Sequence, residues 1–262
     1  MSEPRRIMPL PLGGGELGLP YSRGLMARSL MAAGVAGHRA YALASRVHDE
    51  LRELDLPIMV FIGGATGTGK STVASELAYR FGITRVTSTD FVRQTMRAFF
   101  SRAFMPSIHQ SSFEAGDVYP DADDPLESGF REQARNVLVG VRASSERALE
   151  EGWSLVLEGV HLVPGMVELP RPDLAVSVFV VLSIADEEEH VRHFRFRDED
   201  SERPESRYLE RFADIRRLQE LVLARAHRAG VPVIENEDAD KAARTVADLV
   251  LDAAEQSRTV TR

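Results

Sequence analysis

Residues 58–81 read IMVFIGGATGTGKSTVASELAYRF, and this stretch decides the fold class. It begins with a continuous apolar and β-branched run, which is typical of a strand buried on both faces of a parallel sheet. It ends in a pattern that predicts a helix over about 70–81. Residues 64–71, between the two, match the phosphate-loop pattern G-x-x-x-x-G-K-S, and the strand before and helix after are the context that this pattern requires.

The loop at 64–71, called the P-loop below, predicts a nucleotide-phosphate site. Its glycines permit a tight turn in which backbone N–H groups approach phosphate oxygens, and the helix start adds further donors. Lys70 would supply positive charge to the β- and γ-phosphates, and the Ser71 hydroxyl could bind Mg²⁺. A glycine-rich turn that fits by chance is the disfavoured alternative. The predicted nucleotide-binding residues are Gly64, Ala65, Thr66, Gly67, Thr68, Gly69, Lys70, Ser71 and Thr72.

The rest of the chain alternates apolar runs with helical patterns, which predicts a doubly wound α/β domain. We expect strands at 83–89, 153–159, 174–184 and 231–236, and further helices at about 128–151 and 239–256. The predicted fold is therefore a P-loop NTPase fold with a parallel sheet flanked by helices. Residues 1–56 are expected to form a flexible lead and a small helical N-terminal extension, and 57–262 the P-loop domain.

Composition narrows the class of protein. The 262 residues carry a net charge of −8, which argues against a nucleic-acid partner. There is no cysteine, so disulfides, thiolate metal sites and cysteine nucleophiles are excluded. No apolar run approaches the roughly 18 residues that span a membrane, and we see no signal peptide. We expect a cytoplasmic protein without a membrane partner, and leave its oligomeric state open, with a homodimer as one alternative.

Two carboxylates are predicted at carboxyl ends of strands, where parallel sheets bind ligands. Asp90 would lie beside the P-loop if the second strand neighboured the first, and would accept a proton from an acceptor hydroxyl or hold Mg²⁺ through water. Its alternative is to cap the next helix. Glu158 is expected to orient the metal, with a surface position as the alternative. His161 follows closely as a candidate contact to substrate phosphate, or as a histidine without that role.

Arginines are the candidate phosphate cations. The segment 190–211 is rich in arginine and is predicted to form a lid, with Arg195 and Arg197 as the leading catalytic candidates. Acidic residues are interleaved there, so a solvated and self-paired helix face is the alternative. Arg93 and Arg97, which follow Asp90, are predicted to bind an anionic acceptor.

Five motifs together resemble the 2-phosphoglycerate kinase family. They are GGATGTGKSTVASELAYRFGI, VTSTDFVRQTMR, EGVHLVPG, RYLERFADIRRLQ and GVPVIEN, and the resemblance extends from about residue 19 to 236. The N-terminal LPYSRGLMARSLMAAGV is similar to the segment before that family's kinase domain, a shortened ATP-cone-like module.

The resemblance implies transfer of the γ-phosphoryl group of ATP, with Mg²⁺, to the hydroxyl of 2-phosphoglycerate. On that reading Lys70 and Ser71 match the ATP and Mg²⁺ positions. Asp90 with Arg93, and Glu158 with His161, match the family's two strand-end boxes. Two alternatives stay open: a kinase for another phosphorylated polyol such as an inositol phosphate, and a regulatory ATP-binding module that phosphorylates no acceptor.

Overall fold

The computed structural model describes residues 27, 30–31, 34–53, 56–198 and 205–260. The strands are β1 (Ile58–Gly63), β2 (Val86–Ser88), β3 (Leu155–Glu158), β4 (Val176–Ser183) and β5 (Val233–Glu235). The helices are α1 (Gly37–Glu53), α2 (Lys70–Phe81), α3 (Thr89–Phe99), α4 (Pro125–Glu150), α5 (Glu187–Asp198), α6 (Glu205–Glu210), α7 (Phe212–Ala229) and α8 (Ala239–Val260). Two 3-10 turns, Ser107–His109 and Ser112–Val118, lie between α3 and α4.

The five strands form one parallel sheet in the order β2-β3-β1-β4-β5. Strand β1 is central and buried along its whole length, which explains its uninterrupted apolar sequence. Strand β2 lies at the edge, and β3 separates it from β1. The condition under which Asp90 was expected beside the P-loop is therefore not met, whereas Glu158 ends the strand next to β1.

Alternate residues of β1 face opposite layers of helices. Ile58, Val60 and Ile62 pack in one buried cluster with residues of α2 and α8. Met59 and Phe61 pack on the other side in a cluster with residues of α4. Because side chains alternate along a strand, one apolar run can supply the core on both faces of the sheet. The predicted parallel sheet flanked by helices is confirmed.

Local signals set the helix ends. Helix α2 covers the predicted range and ends at Gly82, whose φ of 65° is the left-handed conformation that favours glycine after a helix. Helix α4 begins earlier than predicted, at Pro125, because the side chain of Asp124 caps it by accepting from the N–H of Glu127 at 3.0 Å. The closing helix α8 extends to Val260, beyond the predicted end at 256.

The predicted N-terminal extension contains α1. Ala27, Ala40 and Ala44 form a small buried cluster of their own, apart from the clusters around the sheet. The predicted flexible lead lies outside the described residues, and the boundary at residue 56 stays a prediction. In the part of the chain that the structure describes, no helix is both long and apolar enough to cross a membrane.

Candidate active site

The P-loop connects β1 to α2 through three glycines with positive φ. These angles are 137° at Gly64, 87° at Gly67 and 77° at Gly69. Gly69 is the N-cap of α2 and makes no side-chain capping bond. Because it has no side chain to compete with an anion, the start of α2 has the form that binds phosphate groups.

Lys70 is folded back over the P-loop. Its side chain is largely buried, and its Nζ donates a hydrogen bond to the carbonyl of Ala65 at 2.5 Å. The hydroxyl of Thr68 donates to the same carbonyl at 3.0 Å. The ammonium group is thus held within the loop, as its predicted contact with the β- and γ-phosphates requires.

Ser71 and Glu158 form the candidate metal site. The Ser71 hydroxyl donates to Oε1 of Glu158 at 3.1 Å, and Glu158 is 5% exposed. Hydroxyl and carboxylate oxygens are ligands that Mg²⁺ accepts, so the pair fits the ion. Among the described residues, no group of three acidic, histidine or cysteine side chains could hold a metal. Phosphate oxygens and water would have to complete the coordination, as is usual for Mg²⁺ at nucleotide sites.

Asp90 lies in the first turn of α3 and does not end the strand before it. The N-cap of α3 is Ser88, whose side chain accepts from the N–H of Asp90 at 3.1 Å, so Ser88 makes the cap bond that was the alternative role of Asp90. Oδ1 of Asp90 accepts two hydrogen bonds from Arg93, one from Nε at 2.9 Å and one from Nη2 at 2.7 Å. Both bonds go to the same carboxylate oxygen, and they fix the side chain of Asp90 against α3.

Arg93 also fixes the segment 105–125 between α3 and α4, which we expect to form the acceptor side of the site and call the acceptor-side loop. It is 5% exposed, and its Nη1 donates to the carbonyls of Ile108 and Gln110, each at 2.8 Å. The guanidinium therefore joins α3 to the first 3-10 turn, and its direct contact with substrate stays a prediction. Arg97, one turn further along α3, is exposed and donates to Gln94 at 3.0 Å.

His161 is fully buried and hydrogen-bonded through both ring nitrogens. Nδ1 lies 2.8 Å from Oγ1 of Thr89, and Nε2 lies 3.0 Å from Oε1 of Gln133. Gln133 uses its amide group to donate to the carbonyls of Ser107 and Gln110, at 2.6 and 3.0 Å. Its Oε1 therefore accepts from His161, and the ring carries its proton on Nε2.

The charge state of His161 agrees with this network. Burial, and next the charge of Arg93, lower the pKa of His161 to about 3, so the ring is neutral. A direct contact between His161 and substrate phosphate would require one of its two hydrogen bonds to break. That contact stays a prediction, and the bonds observed here position Thr89 and the acceptor-side loop.

Two arginines of the predicted lid pair with the acceptor-side loop. Nε of Arg207 donates to Oε1 of Glu114 at 3.0 Å, and Nη2 of Arg211 donates to Asp117 at 2.7 Å. The hydrogen bond from Arg207 is the main cause of the lowered pKa of Glu114. These partners come from another segment, but Nη1 of Arg211 also donates to Asp214 at 3.2 Å, and Arg192 pairs with Glu189. Part of the arginine-rich segment is therefore self-paired, as the alternative expects. The side chains of Arg195 and Arg197 lie outside the described part of the structure.

Five residues at the site escaped the sequence reasoning. Thr89 and Gln133 contact His161, whereas His190, His193 and Asn236 contact backbone carbonyls of the P-loop. Asn236 follows β5, so the rule that drew attention to the other strand ends would have found it. The two histidines stand three residues apart on α5, the spacing that places side chains on one helix face. Gln133 carries no signal, because a glutamine within a long helix has no distinguishing pattern.

The sheet order, the P-loop and the acidic strand end beside it define a P-loop nucleotide-binding protein. No protein-family model matches the chain. The 2-phosphoglycerate kinase of Methanothermobacter thermautotrophicus is 37% identical over 84% of this chain and 86% of its own. That of Thermococcus kodakarensis is 35% identical over 88% and 92%. The chain belongs to the 2-phosphoglycerate kinase family, which confirms the resemblance found in the sequence.

Solved structures of small-molecule kinases are also similar to the chain. A shikimate kinase from Acinetobacter baumannii has a TM-score of 0.43 at 16% identity, with 78% of this chain and 97% of that chain covered. A gluconokinase from Sinorhizobium meliloti 1021 has a TM-score of 0.42 at 14% identity, with 79% and 99% covered. Because both scores lie below 0.5, nothing about the activity of this chain follows from them.

Proposed function

We propose that this chain transfers the γ-phosphoryl group of ATP to the free hydroxyl of 2-phosphoglycerate, giving 2,3-bisphosphoglycerate and ADP. The observation that carries the proposal is that three parts lie at the carboxyl ends of neighbouring parallel strands. These parts are the P-loop, the Ser71–Glu158 pair and the Asp90–Arg93 pair. The name shared by the relatives supplies the acceptor.

In the proposed reaction the acceptor's hydroxyl oxygen forms a bond to the γ-phosphorus as the bond to the β,γ-bridging oxygen breaks. Asp90 takes the hydroxyl proton, and Lys70 balances charge on the transferring group. Most of the acceleration is expected from positioning and charge stabilisation. Arg195 and Arg197 are proposed to contribute on the lid side, and Arg93, Arg97 and His161 on the acceptor side.

ATP is the nucleotide that membership of a kinase family implies, and Mg²⁺ is the proposed metal. The residues that would hold the metal are Ser71 and Glu158, which are already in hydrogen-bond contact. Bound Mg²⁺ would neutralise charge on the β- and γ-phosphates. The cytoplasmic location stays a prediction from composition.

A matched acceptor panel tests the proposal by acceptor-dependent ADP release. The panel compares 2-phosphoglycerate with glycerol 2-phosphate, which lacks the carboxylate, with glycerate, which lacks the phosphate, and with inositol phosphates. We expect turnover with 2-phosphoglycerate, and a product with two phosphate resonances in the ³¹P spectrum. Loss of either anionic group should lower kcat/KM, because the acceptor side then loses a charged contact.

The other outcomes of the panel identify the alternatives. If the chain preferred an inositol phosphate to 2-phosphoglycerate, the proposed phosphoryl transfer would stand but the proposed acceptor would be wrong. Stoichiometric ATP binding without turnover of any acceptor would contradict the proposal that the chain is an enzyme, and would favour the regulatory ATP-binding module.

A further inference from the structure

The outer side of the P-loop is held by side chains that lie outside the motif. Three consecutive backbone carbonyls accept hydrogen bonds from other parts of the chain. The contacts are Thr66 O with His190 Nε2 at 2.8 Å, Gly67 O with His193 Nδ1 at 2.9 Å, and Thr68 O with Asn236 Nδ2 at 2.9 Å. A carbonyl oxygen only accepts, so each of these nitrogens carries the proton that it donates.

These contacts determine the direction of the N–H groups inside the loop. In a planar trans peptide, the C=O of one residue and the N–H of the next point in opposite directions. Fixing the carbonyls of residues 66 and 68 therefore orients the N–H groups of Gly67 and Gly69. The carbonyl of Gly67 shares its peptide group with the N–H of Thr68. The nitrogen of that N–H lies 3.4 Å from the carbonyl oxygen of Ala65. Hydrogen bonds to a carbonyl also polarise its peptide group, which makes the N–H a stronger donor.

Helix α5 and Asn236 are packed against the glycines of the motif. A Cβ on Gly67 would lie 2.5 Å from Cζ of Phe194 and 2.9 Å from Nε2 of His190. A Cβ on Gly69 would meet Nδ2 of Asn236. The absence of a side chain at these glycines thus leaves room for the contacts on the outer side of the loop, as well as for phosphate on its inner side.

Two of the three donors are themselves fixed. His190 is fully buried and stacks on Phe194 with ring centroids 5.3 Å apart. Its Nδ1 lies 3.4 Å from Nη1 of Arg216, which also donates to the carbonyl of Ile184 at 2.6 Å. Asn236 is 2% exposed, and its backbone N–H donates to the carbonyl of Ser183 at 2.8 Å. Donors held this firmly can impose a shape on the loop that they contact.

We propose that His190, His193 and Asn236 are positioning residues that hold the P-loop in its phosphate-binding shape. Helix α5 thereby links the predicted lid to the affinity of the P-loop for nucleotide phosphates. The inference rests on the proposed function only in taking a nucleotide as the ligand of the P-loop. It makes no use of the identity of the acceptor.

Direct nucleotide binding tests the inference, with titration calorimetry of the full chain using ADP and Mg²⁺. His193→Ala removes a donor, whereas His193→Asn places an amide nitrogen near the lost Nδ1. Asn236→Ala removes the amide donor without adding a charge. We expect a Kd about tenfold higher for His193→Ala and for Asn236→Ala, the size of one net hydrogen bond, and recovery to within about threefold for His193→Asn.

Glu188→Gln is the matched control, because Glu188 is exposed on the same helix, and its Kd should equal that of the wild type. A Kd unchanged by both donor-removing variants, or raised equally by His193→Ala, His193→Asn and Glu188→Gln, would overturn the proposal. In steady state, the variants should raise the KM for ATP and leave the KM for the acceptor unchanged. Wild-type nucleotide binding without acceptor turnover would contradict the proposed function but leave this inference intact.

Discussion

The hydroxyl of Ser71 lies 3.1 Å from Oε1 of Glu158, although 87 positions separate the two residues in the sequence. They meet because β3 pairs directly with β1, so the acidic end of β3 adjoins the first turn of α2. Glu158 is 5% exposed, and a buried carboxylate is costly without a partner. The Ser71 hydroxyl is one such partner, and the proposed Mg²⁺ would be a second.

Glu158→Gln is expected to weaken the use of Mg²⁺. Glutamine has nearly the same shape and can still accept from Ser71, but it lacks the charge that attracts the ion. The Mg²⁺ concentration for half-maximal ADP release should rise about 10- to 100-fold. Glu168→Gln is the control, because that side chain is 79% exposed. An unchanged Mg²⁺ dependence in Glu158→Gln would remove Glu158 from the metal site.

Lys70→Ala is expected to lower kcat by at least about 100-fold, because the charge on the transferring group loses its cation. The chain has one other lysine, Lys241, whose side chain is 69% exposed, so Lys241→Ala is a natural control. Turnover is measured by ADP release, and folding by circular dichroism and thermal unfolding. Wild-type turnover in a folded Lys70→Ala variant would contradict the mechanism.

Local signals in the sequence predicted much of the fold and part of the site. Three features depend only on residues that are close together in the sequence: the P-loop, the start of α2 and the acidic end of β3. The order of the strands does not, because it is determined by which apolar faces pack together across long separations. For that reason the sequence left open whether β2 neighbours β1, which was the condition for placing Asp90 beside the P-loop and is not met. The proximity of Glu158 to the P-loop, in contrast, could be anticipated from its place at a strand end.

The polar contacts between distant parts of the chain were beyond prediction for a related reason. The sequence shows that His161 follows β3, but not that Gln133 of α4 lies within hydrogen-bond distance. Likewise, the ion pair of Arg207 with Glu114 joins residues 93 positions apart. Such pairings depend on the completed packing of the helices around the sheet.

Asp90→Asn is expected to lower kcat by roughly 100-fold or more, and also to lower the free energy of unfolding because the buried Arg93 loses its charged partner. Ser88 caps α3, so the change at Asp90 leaves the cap in place. Ser88→Ala is the complementary variant: it should lower the free energy of unfolding by about 1 kcal/mol and leave kcat unchanged. Denaturant unfolding and steady-state kinetics on both variants separate the roles. Equal kcat in Asp90→Asn and the wild type would rule out Asp90 as the base.

His161 is expected to make stability depend on pH in a definite direction. Its pKa is about 3 in the folded chain, below the ordinary value of 6.5. Between these values the unfolded chain binds a proton that the folded chain excludes, so the free energy of unfolding falls as the pH falls. The slope is about 1.4 kcal/mol per pH unit for one such group, and the contribution is fully present above pH 6.5.

Comparison with His161→Gln isolates this contribution, because the other titrating groups are common to both proteins. The variant should be less stable at pH 7, since glutamine cannot reproduce both ring hydrogen bonds. The difference in the free energy of unfolding should then shrink by about 1 kcal/mol between pH 7 and 5.5, measured by urea unfolding. A difference for His161→Gln that does not vary with pH would mean that the ring takes up a proton as readily in the folded chain as in the unfolded chain.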